Sequence, residues 1–295
     1  MVVSLTATLM LAAHAELGES PVWDDRVGGL YWVDTPRHHV HRFDPDSGRD
    51  RTVEFDQAIG AVALRARGGL VAAVQDGFAF LDIETGRMSR IAPVEADNPM
   101  IRMNDGKCDS RGRFWAGTMA TDFREGAGAL YRLDPDGTMA MIFDRVTVSN
   151  GIDWSRDNRK MYYVDSYAGG IDVFDFDVDC GTVANRHRLV DIENDSASPC
   201  GLTVGDGLTV DADGQIWIAI YGAGEVRRYD TRGRLTAVVE VSVPGVTSVA
   251  FGGGDLTDLY ITTCTLDPGE ASDAAGGLFR CRPGVRGLPP SMFAG

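Results

Sequence analysis

Short apolar runs, each introduced by a turn and rich in aromatic or β-branched residues, recur six times along the chain: Gly29-Leu30-Tyr31-Trp32-Val33-Asp34, Gly69-Leu70-Val71-Ala72-Ala73-Val74, Gly112-Arg113-Phe114-Trp115-Ala116-Gly117, Lys160-Met161-Tyr162-Tyr163-Val164-Asp165, Gln215-Ile216-Trp217-Ile218-Ala219 and Asp258-Leu259-Tyr260-Ile261-Thr262. Their first apolar residues fall ~45 residues apart, the period of a repeat architecture. Each run is followed by an alternating strand that closes on an Asp/Gly turn, as in His41-Arg42-Phe43-Asp44 to Gly48, Phe80-Leu81-Asp82 to Gly86 and Val173-Phe174-Asp175 to Gly181. Period-two alternation ending in that turn chemistry is a hairpin signal.

With at least two strands per unit, room for four, and no helical periodicity, the pattern predicts an all-β, six-bladed β-propeller with four-stranded blades. Thr6-Ala7-Thr8-Leu9-Met10-Leu11 reads as a strand without a hairpin partner of its own, and is expected to close the last blade. No Pro/Ser-rich linker interrupts the chain, so residues 1–295 are read as one domain.

Aligning the units on their repeated strand brings Glu19, Gly60, Asn104, Asn150, Asp206 and Ser248 to one register, ten or eleven residues upstream, where an innermost strand enters the central channel. Equivalent positions in a radial array converge on the axis. Two carboxylates and two carboxamides there form a hard oxygen set suited to Ca²⁺, Mg²⁺ or Mn²⁺, and a cation would relieve their mutual repulsion. Asn104-Asp105-Gly106, Asn150-Gly151 and Asp206-Gly207 also place a glycine beside the polar residue, where backbones approach closely. Asn-Gly and Asp-Gly are ordinary turn dipeptides, and it is the shared register that raises them above that reading.

Composition removes other classes. The 295 residues carry 28 Lys and Arg against 43 Asp and Glu, a net charge of −15, and the only lysines are Lys107 and Lys160. Nucleic acid and anionic membranes are therefore excluded as partners, since both demand a basic footprint. No run of eighteen apolar residues occurs, and no Lys or Arg precedes Arg26, so neither a membrane span nor a signal peptide is expected. Five scattered cysteines without a Cys-x-x-Cys pair read as reduced, mostly buried thiols in a cytoplasmic protein. No Gly-x-Ser-x-Gly elbow supports a serine nucleophile. His38, His39 and His41 mimic a metal box, but strand alternation separates them. Asp44 to Gly48 and Asp211 to Gly214 mimic the start of an EF-hand loop without its helices or twelfth-position Glu, and read as hairpin turns. Trp23, Trp32, Trp115, Trp154 and Trp217 read as core residues.

Leu17-Gly18-Glu19-Ser20-Pro21-Val22-Trp23, Arg102-Met103-Asn104-Asp105-Gly106-Lys107, Phe114-Trp115-Ala116-Gly117-Thr118-Met119, Ser149-Asn150-Gly151-Ile152-Asp153-Trp154 and Asp206-Gly207-Leu208 together resemble the motif set of the regucalcin (senescence marker protein)/gluconolactonase family, over nearly the whole chain. The resemblance implies a six-bladed propeller that hydrolyses sugar lactones with one divalent cation (Ca²⁺, Zn²⁺, Mg²⁺ or Mn²⁺). It implies Glu19, Asn150 and Asp206 as metal ligands, Asp206 also as general base, Arg102 as a substrate-binding arginine, and Asn104 as a ligand or substrate contact. Where animal members carry two substrate-binding glutamates this chain has Thr121 and Asp122, leaving Asp122 as the substrate-side acid and the preferred lactone open. The Gly-Leu-Thr-Val segment occurs at 201–204 and again at 207–210, and Asp206 rather than Cys200 keeps the spacing of the other units.

The expected activity is thus a metal-dependent lactonase on a small sugar lactone, in a monomer or weak homo-oligomer. Esterase or phosphotriesterase chemistry at the same cation, and a non-catalytic calcium-binding regulatory propeller, stand as alternatives.

Overall fold

The computed structural model describes residues 2–265 and 272–295. Its strands, β1 to β25, form six sheets. Blade one holds β3 (Gly18–Asp24), β4 (Gly29–Asp34), β5 (His39–Asp44) and β6 (Arg49–Glu54). Blade two holds β7 (Ile59–Leu64), β8 (Leu70–Val74), β9 (Gly77–Asp82) and β10 (Arg87–Pro93). Blade three holds β11 (Ile101–Cys108), β12 (Phe114–Ala120), β13 (Gly128–Leu133) and β14 (Met139–Val146). Blade four holds β15 (Ser149–Trp154), β16 (Lys160–Asp165), β17 (Gly170–Asp177) and β18 (Thr182–Asp191). Blade five holds β19 (Val204–Val210), β20 (Ile216–Tyr221), β21 (Glu225–Tyr229) and β22 (Leu235–Glu240), and blade six β23 (Val246–Gly252), β24 (Asp258–Thr263) and β25 (Leu278–Cys281).

All pairings inside these units are antiparallel, and the first strand of each touches the first strands of the two neighbouring blades. This closed circuit of β3, β7, β11, β15, β19 and β23 is the wall of a central channel. The expected six-bladed propeller is the fold found.

Both faces of a blade are covered by its neighbours, which is why the strands nearest the axis are buried along almost their whole length rather than alternating with solvent. The core is correspondingly divided into six seams, one between each pair of adjacent blades. Trp23 and Trp32 fill the seam between blades six and one, Trp115 and Trp154 that between three and four, and Trp217 that between five and six, so all five tryptophans are core residues. The recurring Asp closes its hairpin by accepting backbone N–H groups of the turn: Asp44 from Asp46 and Ser47, Asp82 from Glu84 and Thr85, Asp177 from Asp179 and Cys180.

The N-terminus closes the ring in two steps. β2 (Thr8–Leu11) is the fourth strand of blade six, antiparallel to β25, as the sequence pattern anticipates. The predicted strand breaks at Ala7, however, and β1 (Val3–Thr6) continues onto the neighbouring blade, pairing parallel to β22 as a fifth strand. At the opposite end, the C-terminal segment runs beneath the channel. Gly287 pairs with Asp211, Phe293 with Arg65, and Ala294 N–H donates to Gly112.

Candidate active site

Every channel-lining strand shifts register against its neighbour at or beside the position picked out in the sequence: between Glu19 and Val22, Ile59 and Ala61, Met103 and Gly106, Ser149 and Ile152, Gly205 and Leu208, and Val246 and Ser248. A bulge frees a residue from the ladder and re-aims its side chain, and here it does so once per blade at one height. The glycines that follow let the bulged backbones approach each other. A Cβ on Gly151 would lie 2.6 Å from the Asp206 carbonyl oxygen, and one on Gly207 2.6 Å from Ser248 Cβ.

Glu19, Asn104, Asn150, Asp206 and Ser248 are all buried. Burial, followed by the charges of Asp206 and Asp105, pushes the Glu19 carboxyl well above the ordinary range, while the Ser20 N–H and the Arg102 guanidinium oppose the shift. Asp206 is likewise raised by burial and then by Asp105, against the Gly207 N–H, the Asn150 carboxamide and Arg102. Carboxylates from blades one, three and five are thus close enough to raise one another's pKa. Arg102 is the cation that answers them, its own pKa lowered by burial and supported by Glu19 and Asp206.

Arg102 makes no ion pair within 4 Å among the described residues. Its Nη1 donates to the Met103 carbonyl (3.0 Å) and to Asn104 Oδ1 (2.7 Å). The Asn104 amide is satisfied on both sides, since Nδ2 donates to the Ser149 carbonyl at 2.8 Å. Asn150 is different: Nδ2 donates to Ser166 Oγ at 2.9 Å, while Oδ1 is buried without a partner. Asp206 Oδ1 is also buried and unpartnered. Buried acceptors are ordinarily hydrogen-bonded, so two orphaned oxygens beside a buried Glu19 require an external partner. Their chemistry, two carboxylates and a carboxamide oxygen, fits a hard divalent cation. Asn104, with both amide ends engaged, has less to offer a metal than a substrate hydroxyl.

Asp122 lies apart from this group, on the exposed turn after β12, where its carboxylate accepts the Arg124 N–H at 3.2 Å. His41 bonds Asp50 at 2.6 Å and stacks on Trp32 at 3.9 Å, a structural engagement distant from the channel. Cys200 sits on the connection between β18 and β19 and Asp206 on β19 itself, which agrees with the spacing used to choose between them.

Sequence reasoning missed the residues that hold the ring in place. Ser166 anchors Asn150 and donates to the Gly205 carbonyl (2.7 Å), tying blades four and five together. Asp34 receives the N–H groups of Glu16 and Leu17 just before Glu19, and Asp165 receives those of Thr147 and Val148 just before Asn150. The signal was present, because Tyr-Trp-Val-Asp and Tyr-Tyr-Val-Asp end two of the repeats on these buried acids. Beyond the ring, a cavity of about 350 Å³ continues down the channel, lined by Asp105, Lys107, Asp153, Thr209 and the C-terminal Leu288 to Ser291. There Lys107 Nζ bonds Asp153 (3.0 Å) and the Leu208 carbonyl (2.8 Å).

Fold and site together define a six-bladed propeller with a hard-oxygen cluster on its axis. The chain belongs to the SMP-30/gluconolactonase/LRE-like family, whose model matches residues 17–265. Regucalcin of Xenopus laevis is 36% identical over 303 residues, covering 99% of each protein. Among solved structures, a calcium-binding protein, regucalcin, from Agrobacterium tumefaciens superposes with a TM-score of 0.90 at 26% identity, over 99% of each chain. A luciferin-regenerating enzyme superposes at 0.87 and 28% identity, over 98% of this chain and 99% of the other. Among the described residues, no helix is long and apolar enough to cross a membrane.

Proposed function

We propose that this protein is a metal-dependent lactonase, a carboxylic-ester hydrolase that opens a sugar lactone to its hydroxy acid. The observation that carries the reading is the pair of orphaned buried oxygens, Asn150 Oδ1 and Asp206 Oδ1, in an acidic cluster with one unpaired guanidinium beside it. Glu19, Asn150 and Asp206 would hold the cation, for which Ca²⁺ is the first candidate, the Agrobacterium relative being described as calcium-binding. Bound there, a divalent cation supplies Lewis-acid stabilisation of the negative charge that builds on the lactone carbonyl oxygen.

The chain's own groups carry the remaining steps. Arg102 presents free N–H donors in a fixed fork to the substrate's oxygens, and Asn104, locked by Arg102 and Ser149, orients that fork. Asp206 takes a proton from the attacking water, whose oxygen bonds to the carbonyl carbon. Burial makes its carboxylate a stronger base than an exposed aspartate. When the ring C–O bond breaks, that proton leaves with the ring oxygen as the new hydroxyl group. Asp122, on the turn after β12, would meet only the outer edge of the substrate.

The test is the initial rate of D-glucono-δ-lactone hydrolysis above its spontaneous background, on chelator-stripped protein before and after adding Ca²⁺, Zn²⁺, Mg²⁺ or Mn²⁺. Turnover restored by a cation supports the reading. Folded, metal-loaded protein that opens no lactone but cleaves a phosphotriester, or that only binds Ca²⁺, overturns it.

A further inference from the structure

Most of the large apolar side chains left exposed lie away from the site. Val2, Val3, Leu9, Met139, Met141 and Leu235 are on or beside the outermost strands, Val27 is in the β3–β4 turn below, and Met292 is in the C-terminal segment. The other three exposed ones among the described residues are Met100, Phe123 and Tyr167, at 44%, 52% and 52% exposure. All three lie on the face where the channel-lining strands begin. Met100 immediately precedes β11, two residues before Arg102. Phe123 is on the connection that leaves β12 just after Met119, the residue paired with Arg102. Tyr167 follows Ser166, which holds Asn150.

We propose that Met100, Phe123 and Tyr167 form an apolar rim over the mouth of this site that recognises an apolar edge of the substrate, so that the lactones taken are those carrying an alkyl or deoxygenated edge alongside the oxygens bound by Arg102. The proposal rests on the lactonase reading and narrows its substrate class. The two aromatic rings come from different blades yet meet at 6.0 Å between centroids, tilted by 31°. Phe123 adopts φ 58°, a left-handed conformation that is strained for a bulky residue. Neither ring is buried in return, so the fold itself gains little from the arrangement.

The rim is also held in position. Thr121 N–H donates to the Met100 carbonyl (2.8 Å), and Gly126 N–H to Thr147 Oγ1 (3.1 Å), fastening the β12–β13 connection to the segment that leads from blade three into blade four. A polar cluster flanked on one side by an apolar shelf is the usual composition of a small-molecule site, where a few polar groups orient the ligand and apolar walls bind it. The carboxylate of Asp122 is turned to its own backbone, leaving Phe123 as the large group presented there. Sugar lactones have C–H edges that stack on aromatic faces, and replacing a hydroxymethyl by an alkyl substituent increases the apolar area such a shelf removes from water.

Metal-loaded wild type, Phe123→Ala and Tyr167→Ala are titrated calorimetrically with two non-hydrolysable lactams, 6-propylpiperidin-2-one and unsubstituted piperidin-2-one. The propyl compound should bind wild type roughly tenfold more tightly, and each variant should lose most of that advantage while its affinity for piperidin-2-one is unchanged. In turnover, KM for δ-octalactone should rise by a similar factor, with kcat within about twofold of wild type. Equal affinity for the two lactams in wild type, an advantage surviving in both variants, or no lactam binding at all would overturn the rim. So would a wild-type dimer that Tyr167→Ala dissociates, since a second copy would then be the occupant. Rim-dependent lactam binding without turnover of any lactone leaves the rim standing and removes the lactonase reading instead.

Discussion

In the proposed mechanism Asp206 would do two things that conflict in water but agree in this channel. A ligand should be ionised, a general base should be reluctant to ionise, and burial beside Asp105 raises its pKa while Arg102 and the Gly207 N–H keep the anion accessible. Asp206→Asn preserves shape and would remove the proposed base together with one proposed ligand charge. Hydrolysis should fall by about 10²–10⁴-fold, with the circular dichroism of the propeller unchanged; near wild-type turnover would remove Asp206 from the mechanism. Ser166 offers a subtler test, because it is buried and its Oγ accepts from Asn150 Nδ2, which would fix which end of that amide faces the axis. Ser166→Ala should weaken cation affinity about tenfold, the cost typical of losing a partner that orients a metal ligand. At saturating cation kcat should return, a split between affinity and turnover that a merely destabilised protein would not show.

Between strands, the critical dimension is the gap at the bulges. A Cβ at Gly151 would press on the Asp206 carbonyl oxygen at 2.6 Å and the Leu208 N at 2.7 Å, both backbone atoms that cannot swing aside. Gly151→Ala must therefore push β15 away from β19, and is expected to cost about 1–3 kcal/mol of stability. It should also impair cation binding, read as a lower Tm in chelator and a smaller rise on adding Ca²⁺. This gap shows why the ring was legible in the sequence and its supports were not. Polar residues at a shared offset, each beside a glycine, form a pattern that survives without coordinates. Ser166 is visible only once β16 has been folded back onto β15, and the parallel strand Val3–Thr6 only once residues 237–240 stand beside it. Alternation along the chain reports local pairing, and the break at Ala7 depends on a contact more than two hundred residues away, the Ala7 N–H donating to the Glu240 carbonyl. Asp122 is a second such case, since its position after the Ala-Gly-Thr-Met run is visible in the sequence while the contact of its carboxylate with the Arg124 N–H is not.

Across the whole molecule, the axis is where every blade contributes and where like charges meet. Glu19 comes from blade one, Asp105 from blade three and Asp206 from blade five, in a chain of net charge −15. Without a cation their repulsion would work against closure of the ring, and the proposed cation would turn it into attraction among blades. The sign of the pH dependence follows. Glu19 and Asp206 have folded pKa values above those of the unfolded chain, near 4. The folded state therefore binds their protons first as pH falls, and the stabilisation this brings is complete below the unfolded values and lost as pH rises through the folded ones. The turn carboxylates Asp44, Asp82 and Asp230 are depressed instead, by hydrogen bonds from their own turns, and their contribution is lost only at lower pH, as they protonate. Chelator-stripped protein should consequently gain Tm on acidification from pH 8 to about 5, and lose it again below about 4. Saturating Ca²⁺ should raise Tm most at pH 8 and progressively less toward pH 5, because protons and cation compete for the same oxygens. Asp206→Asn should flatten both trends. Thermal unfolding across this range, with and without Ca²⁺, measures them directly, and a Tm that is independent of pH in chelator would separate the carboxylate cluster from the stability of the ring.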